Sequence, residues 1–124
     1  MFEYDRDLIK NPHLIPNTTQ VPTFLIDVVM PIISNPTTKV MLFLVRKIYG
    51  WGKEKDLISL SQIQKGTNLS RISITRALQE LEEKKVILKI KHKKGNKNLP
   101  NEFMFNERLP GIALTKFFRE KPNN

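Results

Sequence analysis

The chain has 124 residues, 40% of them hydrophobic, a size that suits one compact domain with ragged ends. It contains no cysteine, which excludes disulfides, thiolate zinc sites and a cysteine nucleophile, and His13 and His92 do not have metal-ligand spacing. Lysine and arginine total 21 against 12 acids, and the resulting formal charge of +9 favours a polyanionic partner, because each neutralised phosphate releases condensed counterions.

Residues 1–20 mix charges with Pro12, Pro16 and the polar string Asn17-Thr18-Thr19-Gln20, and read as an irregular or disordered arm. Residues 22–33 are apolar-periodic through Phe24, Leu25, Val28 and Val29. A short first helix is expected there, with Pro22 near its start and Pro31 ending or kinking it. Asn35-Pro36 then pairs an N-cap residue with proline at the first helical position. The helix should run to about Tyr49, with Gly50 as the left-handed residue that stops it. Its interior, 40–45, is the longest apolar run of the chain, far too short to span a bilayer. A buried strand fits the same run, but the capped boundaries favour a central buried helix. The amino terminus also lacks the basic-then-apolar order of a signal peptide, so a soluble cytoplasmic protein is expected.

Beyond the turn Tyr49-Gly50-Trp51-Gly52 and the charged loop 53–56, Leu57-Ile58-Ser59-Leu60 reads as a short strand. Ser61 and Gln64 have the spacing of a capping box, which opens a short helix to about Gly66. Thr67-Asn68-Leu69 makes a turn, and Ser70 caps the next helix, whose apolar stripe is Ile74, Ala77, Leu78 and Leu81 and whose end lies near Lys84-Lys85. Residues 86–92 shift to period-two alternation, with Leu88, Ile90 and His92 on one side and Lys89 and Lys91 on the other, as in a half-exposed strand. Residues 93–98 are a turn cluster, and 101–106, with Phe103 and Phe105 on one face, is the returning strand. Pro110-Gly111 breaks the order, and 112–124 holds either a short helix (Leu114, Phe117, Phe118) or the stump of a linker.

This order predicts a mainly α fold with a small β-hairpin, a winged helix-turn-helix. An irregular arm over 1–20 precedes the winged-helix domain over 21–108, and a tail or linker stump over 109–124 follows it. In such a fold the helix after Ser70 enters the major groove. Because Ile74, Leu78 and Leu81 must face the core, Arg71, Ser73, Thr75, Arg76 and Gln79 lie on the outer side. Arginine can donate in a bidentate manner to guanine, glutamine pairs with adenine, and hydroxyls meet bases or phosphates. Ser70 and its neighbours leave free amides at a positive helix end, a phosphate site. An ordinary amphipathic helix with a solvated polar face fits the same pattern.

The hairpin adds weight to the DNA reading. From Lys84 to Asn98 there are seven lysines and no acid, and Lys91, Lys93, Lys94 and Lys97 are the expected phosphate contacts. Lysines that protect an edge hairpin from aggregation are the competing explanation, although seven exceed that need. Trp51 and Tyr49 could stack on bases, but their place at the end of the most apolar helix favours packing. Glu82-Glu83 and the Asp5/Asp7 pair have no partner for acid–base chemistry, and neither a Gly-rich phosphate loop nor a nucleophile with an adjacent base occurs. No catalytic site, metal site or cofactor is expected.

Several segments resemble the N-terminal domain of phage replication protein O, the origin-binding initiator of lambda-type phages. They are Val21-Pro22-Thr23-Phe24-Leu25, Arg46-Lys47-Ile48-Tyr49-Gly50-Trp51-Gly52-Lys53-Glu54-Lys55-Asp56, Ile58-Ser59-Leu60-Ser61-Gln62, Leu69-Ser70-Arg71 and Thr75-Arg76-Ala77-Leu78. The resemblance covers roughly 20–106, and its Arg-Lys-x-Tyr-Gly-Trp part is the most specific. It implies binding to repeated sites in a replication origin, as a homodimer on double-stranded DNA, with Arg71, Ser73, Thr75 and Arg76 reading the site in the cytoplasm of the bacterial host. It also implies recruitment of the replicative helicase or its loader, through a C-terminal region where one is present. A phage or plasmid transcriptional regulator with the same fold, and a protein-interaction winged helix whose lysines only solubilise it, are the alternatives.

Overall fold

A computed structural model describes residues 18–95 and 97–112, without the side chains of Lys93, Lys94, Lys97 and Asn98. The expected arm up to residue 17 and the tail from residue 113 lie outside the described residues. The first helical segment is irregular: a π-helical turn, Leu25–Val29, passes into a 3-10 turn, Met30–Ile32. Pro31 accounts for this, since its ring and missing amide forbid a regular bond back to the carbonyl four residues earlier. Leu25 and Val29 are buried, while Val28 faces solvent.

Helix α1, Asn35–Ile48, is capped by Ser34, whose hydroxyl accepts from the Thr37 amide, and Asn35 is already helical. The chain leaves α1 through a 3-10 turn, Tyr49–Trp51, because the Tyr49 ring stacks on Phe105 with centroids 5.1 Å apart. The left-handed stop is therefore Gly52 (φ 66°), two residues beyond the expected Gly50. A Cβ at Gly50 would meet the Arg46 guanidinium and the Thr19 hydroxyl, both at side-chain ends that can shift.

Strand β1 is Lys55–Leu57, earlier than expected, and Leu60 already belongs to helix α2, Leu60–Thr67. The capping box is Ser59 with Gln62 rather than Ser61 with Gln64. Both pairs have the right spacing, but the buried Ile58 bonds to Asn101 and ends the extended segment there. Asn68 (φ 59°) turns the chain into helix α3, Arg71–Glu83, capped by Ser70 as the sequence predicts.

Strands β2, Ile87–Ile90, and β5, Glu102–Phe105, pair antiparallel, and β1 adds to the other side of β5. Between β2 and β5 the two short strands β3, Lys93–Lys94, and β4, Lys97–Asn98, form the wing tip. Phe103 and Phe105 face inward as expected, and Ile87, opposite Phe105, joins them. This parity turns Leu88 and Ile90 to the outer face of the sheet, where Leu88 is 45% exposed. The alternation in β2 is real, but its apolar stripe is the wet one.

One core joins these parts: Leu25 and Val29, the inner side of α1 from Val40 to Ile48, Ile63, the stripe Ile74, Ala77, Leu78 and Leu81, and the inward sheet residues. The architecture is that of a winged helix, mainly α with a small antiparallel sheet. Among the described residues no helix is long and apolar enough to cross a membrane.

Candidate nucleic-acid interface

Helix α3 is held from three directions, and those contacts decide which of its residues are free. Its apolar stripe packs on α1 and the sheet. At its far end the Glu80 carboxylate accepts from the Ser34 amide at the start of α1 (3.0 Å). That amide, then the Thr37 hydroxyl, holds the Glu80 carboxyl below its ordinary value against the opposing effect of burial, with a lesser contribution from the charge of Lys84. At its near end, Lys39 of α1 donates to the Thr67 carbonyl (2.8 Å), and the Thr67 hydroxyl donates to Ile63 (2.6 Å). These bonds fix the turn between α2 and α3, because they satisfy carbonyls that a helix end otherwise leaves open.

At about 100° per residue, the side of α3 opposite the core carries Ile72, Arg76 and Gln79. Arg71 and Thr75 lie on the flank toward α2, and Ser73 lies on the flank toward α1. All but Ser73 are well exposed. Arg71 shares a cleft with Ser59 and Ser61 at the start of α2 and with Leu99, Pro100 and Asn101 on the way back from the wing. Arg76 and Ser73 share another with Ser34, Pro36 and Glu80. The wing return and the start of α3 are thus neighbours, a relation that local sequence pattern does not show.

The six residues expected on this helix do not contribute alike. Ser70 spends its hydroxyl on the Ser73 amide and the Ser73 hydroxyl, which leaves Ser70 as a cap. Thr75 donates to the Arg71 carbonyl (2.8 Å), so it can only accept from a partner. Arg71, Arg76 and Gln79 make no ion pair or hydrogen bond among the described residues. Two acids of α3 are engaged elsewhere: Glu80 with Ser34 and Lys84, Glu82 with Lys89. Charge therefore separates along α3, with both arginines in its first half and Glu80, Glu82 and Glu83 in its second.

The wing lysines need a correction. Lys84 and Lys89 have counter-charges, Glu80 at 3.8 Å and Glu82 at 3.5 Å, supplied by the neighbouring helix rather than by the lysine-rich segment itself. Lys91 is exposed and makes no ion pair among the described residues. At the tip the register sets Lys93 opposite Asn98 and Lys94 opposite Lys97, around Gly95 (φ 64°), which suits a primed hairpin turn. At the base of the wing Glu102 binds His92 (3.1 Å) and Lys55 (3.5 Å), tying the hairpin to β1.

Two residues depart from expectation. Tyr49 packs as predicted, but Trp51 is 64% exposed, with Arg46 over its ring at 5.2 Å. Ile72, absent from the sequence-derived set, is 66% exposed on the outermost stripe of α3. Its signal was available: it sits two residues ahead of Ile74, off the core period. Among the described residues no group of three or more His, Asp or Glu is placed to hold a metal. No curated protein matches the chain. One family model, described as bacteriophage replication protein O, matches residues 18–101, from the approach to the first helical segment to the return of the wing.

Proposed function

Because the chain belongs to the bacteriophage replication protein O family, we propose that it binds double-stranded DNA sequence-specifically and recognises an origin when phage DNA replication begins. The role is binding, not catalysis. The observation that carries this reading is the outer side of α3, where Arg71, Arg76 and Gln79 are exposed and make no ion pair or hydrogen bond among the described residues, and where Arg71 shares a cleft with the return of the lysine hairpin. Unpaired arginines on a helix of groove-filling width suit base edges, and a hairpin of one charge suits the flanking phosphates. In this division of labour Arg71, Arg76 and Gln79 read bases. Ser73 donates and Thr75 accepts at the margins, and Ser70 presents the helix start. Lys91, Lys93, Lys94 and Lys97 contact phosphates.

The same reading gives the protein a cytoplasmic, DNA-associated place in the bacterial host. A dimer would occupy paired sites, and the replicative helicase or its loader would be the downstream partner. Selection of bound sites from random duplex DNA tests the core of the proposal. A single preferred sequence that recurs as repeats in the phage's own origin is the expected result. Equal affinity for all duplexes would overturn origin recognition, and salt-independent binding would overturn the phosphate contacts, since each should contribute about 0.9 to the log–log slope.

A further inference from the structure

We infer that Ile72 is a specificity-determining residue that reads a thymine through its 5-methyl group. The inference rests on the DNA-binding reading of α3. Isolated exposed apolar side chains are ordinary on protein surfaces, and Leu42, Leu57 and Leu88 are examples here. Ile72 differs in place. It has the highest exposure of the large apolar side chains among the described residues, 66%, and it lies in the first turn of α3. Recognition helices meet base edges with their N-terminal residues. Its neighbours along the outer stripe are Arg76 and Gln79, four and seven residues on, which face the same way.

Isoleucine at this position gains nothing from the fold. It touches no part of the core, and as a β-branched residue it is a poorer helix former than its arginine and leucine neighbours. In the major groove the chemistry changes. The thymine methyl is the apolar group that a base pair presents there, while the other edges carry donors and acceptors. Against thymine, Ile72 buries methyl on methyl. Against cytosine it would cover the N4 donor with hydrocarbon and leave that donor without a partner, which is costly. The same side chain therefore attracts one base and repels its pyrimidine alternative, through an apolar contact that the polar side chains Arg71, Arg76 and Gln79 do not offer.

The test removes the methyl without altering base pairing. A preferred duplex is first selected with the wild-type chain, and each thymine in it is then replaced in turn by deoxyuridine. At one thymine of the site, or at a symmetric pair, wild-type affinity should fall about four-fold, the equivalent of losing one buried methyl at about 0.8 kcal/mol. Ile72→Ala should bind the thymine duplex several-fold more weakly than wild type and be indifferent to deoxyuridine at that same position. Ile72→Val should keep part of the sensitivity. Because the side chain is exposed and alanine is the better helix former, unfolding midpoints should not fall. A preferred site without thymine would overturn the inference, and so would Ile72→Ala losing equally on thymine and deoxyuridine duplexes; either outcome leaves DNA binding intact. If the wild-type chain selects no duplex, the DNA-binding reading fails and this inference with it.

Discussion

Replacing Arg76 by alanine should damage binding and spare the fold, and the size of both effects follows from its surroundings. The guanidinium makes no ion pair or hydrogen bond among the described residues, and its neighbour Glu80 is held by Ser34 and Lys84. Truncation removes no partner from a buried group, so unfolding free energy should move by less than about 0.5 kcal/mol. A bidentate contact to a base edge is worth about 1–3 kcal/mol of discrimination. Affinity for the preferred duplex should then fall about 5- to 150-fold, with little change on random DNA. Lys91→Ala is the matched control: it should weaken every duplex alike and lower the log–log salt slope by about 0.9. Binding to specific and random duplexes is read by fluorescence anisotropy at several salt concentrations, beside urea unfolding of each variant. Equal losses for Arg76→Ala on both kinds of DNA would refute its assignment to base readout.

Three further outcomes follow from packing and caps. Gly66→Ala places a methyl against the Phe43 ring. The cost of overpacking, about 1–3 kcal/mol, should outweigh a helix-propensity gain of at most about 1 kcal/mol, so urea unfolding should show a net loss. In a Phe43→Ala background the same change should become neutral or stabilising, and persistence of the loss would show that the ring is not its cause. Ser59→Ala should cost about 0.5–2 kcal/mol and Ser61→Ala less than about 0.5 kcal/mol; the reverse order would return the capping box to Ser61. Glu80→Gln tests the tie between α3 and α1. The folded-state pKa of Glu80 is lowered, chiefly by the Ser34 amide, so its contribution is present above the ordinary glutamate pKa of about 4.3 and is lost as pH falls through the lower folded value. Thermal melts should therefore show wild type more stable than Glu80→Gln near neutrality, with the gap closing in acid. A gap that is constant with pH would remove the carboxylate from the explanation.

Much of this molecule was legible because its strongest signals are local. The Ser70 cap, the stripe Ile74, Ala77, Leu78 and Leu81, and the inward pair Phe103 and Phe105 each follow from a single periodicity. Where two neighbouring residues could do the same job, local pattern had no means to choose. Ser34 prevails over Asn35, Gly52 over Gly50 and Ser59 over Ser61. In two of these cases a distant contact sets the choice: Tyr49 on Phe105 and Ile58 on Asn101. Strand β2 was ambiguous for a related reason. Apolar residues at 86, 87, 88 and 90 satisfy both parities, and the pairing of Ile87 with Phe105 resolves them. At the candidate interface, residue types single out the arginines and lysines. They could not say that Ser70 and Thr75 are internally bonded, or that Lys84 and Lys89 borrow acids from α3. Ile72 carries no polar group, so residue type alone does not mark it as a candidate.

The separation of charge along α3 gives the helix a heading. On the DNA-binding reading, the arginines in its first half would lead into a phosphate-lined groove, while in its second half Glu80 and Glu82 are paired with Lys84 and Lys89, which leaves Glu83 to oppose the reverse approach. A bound protomer would then point one way along the duplex, as an arrow does. Direct repeats of one site would align successive protomers head to tail, so that a row of them has a front and a back. Such a row would offer an incoming assembly the same surface at regular intervals, and it would tell that assembly which direction along the DNA is forward.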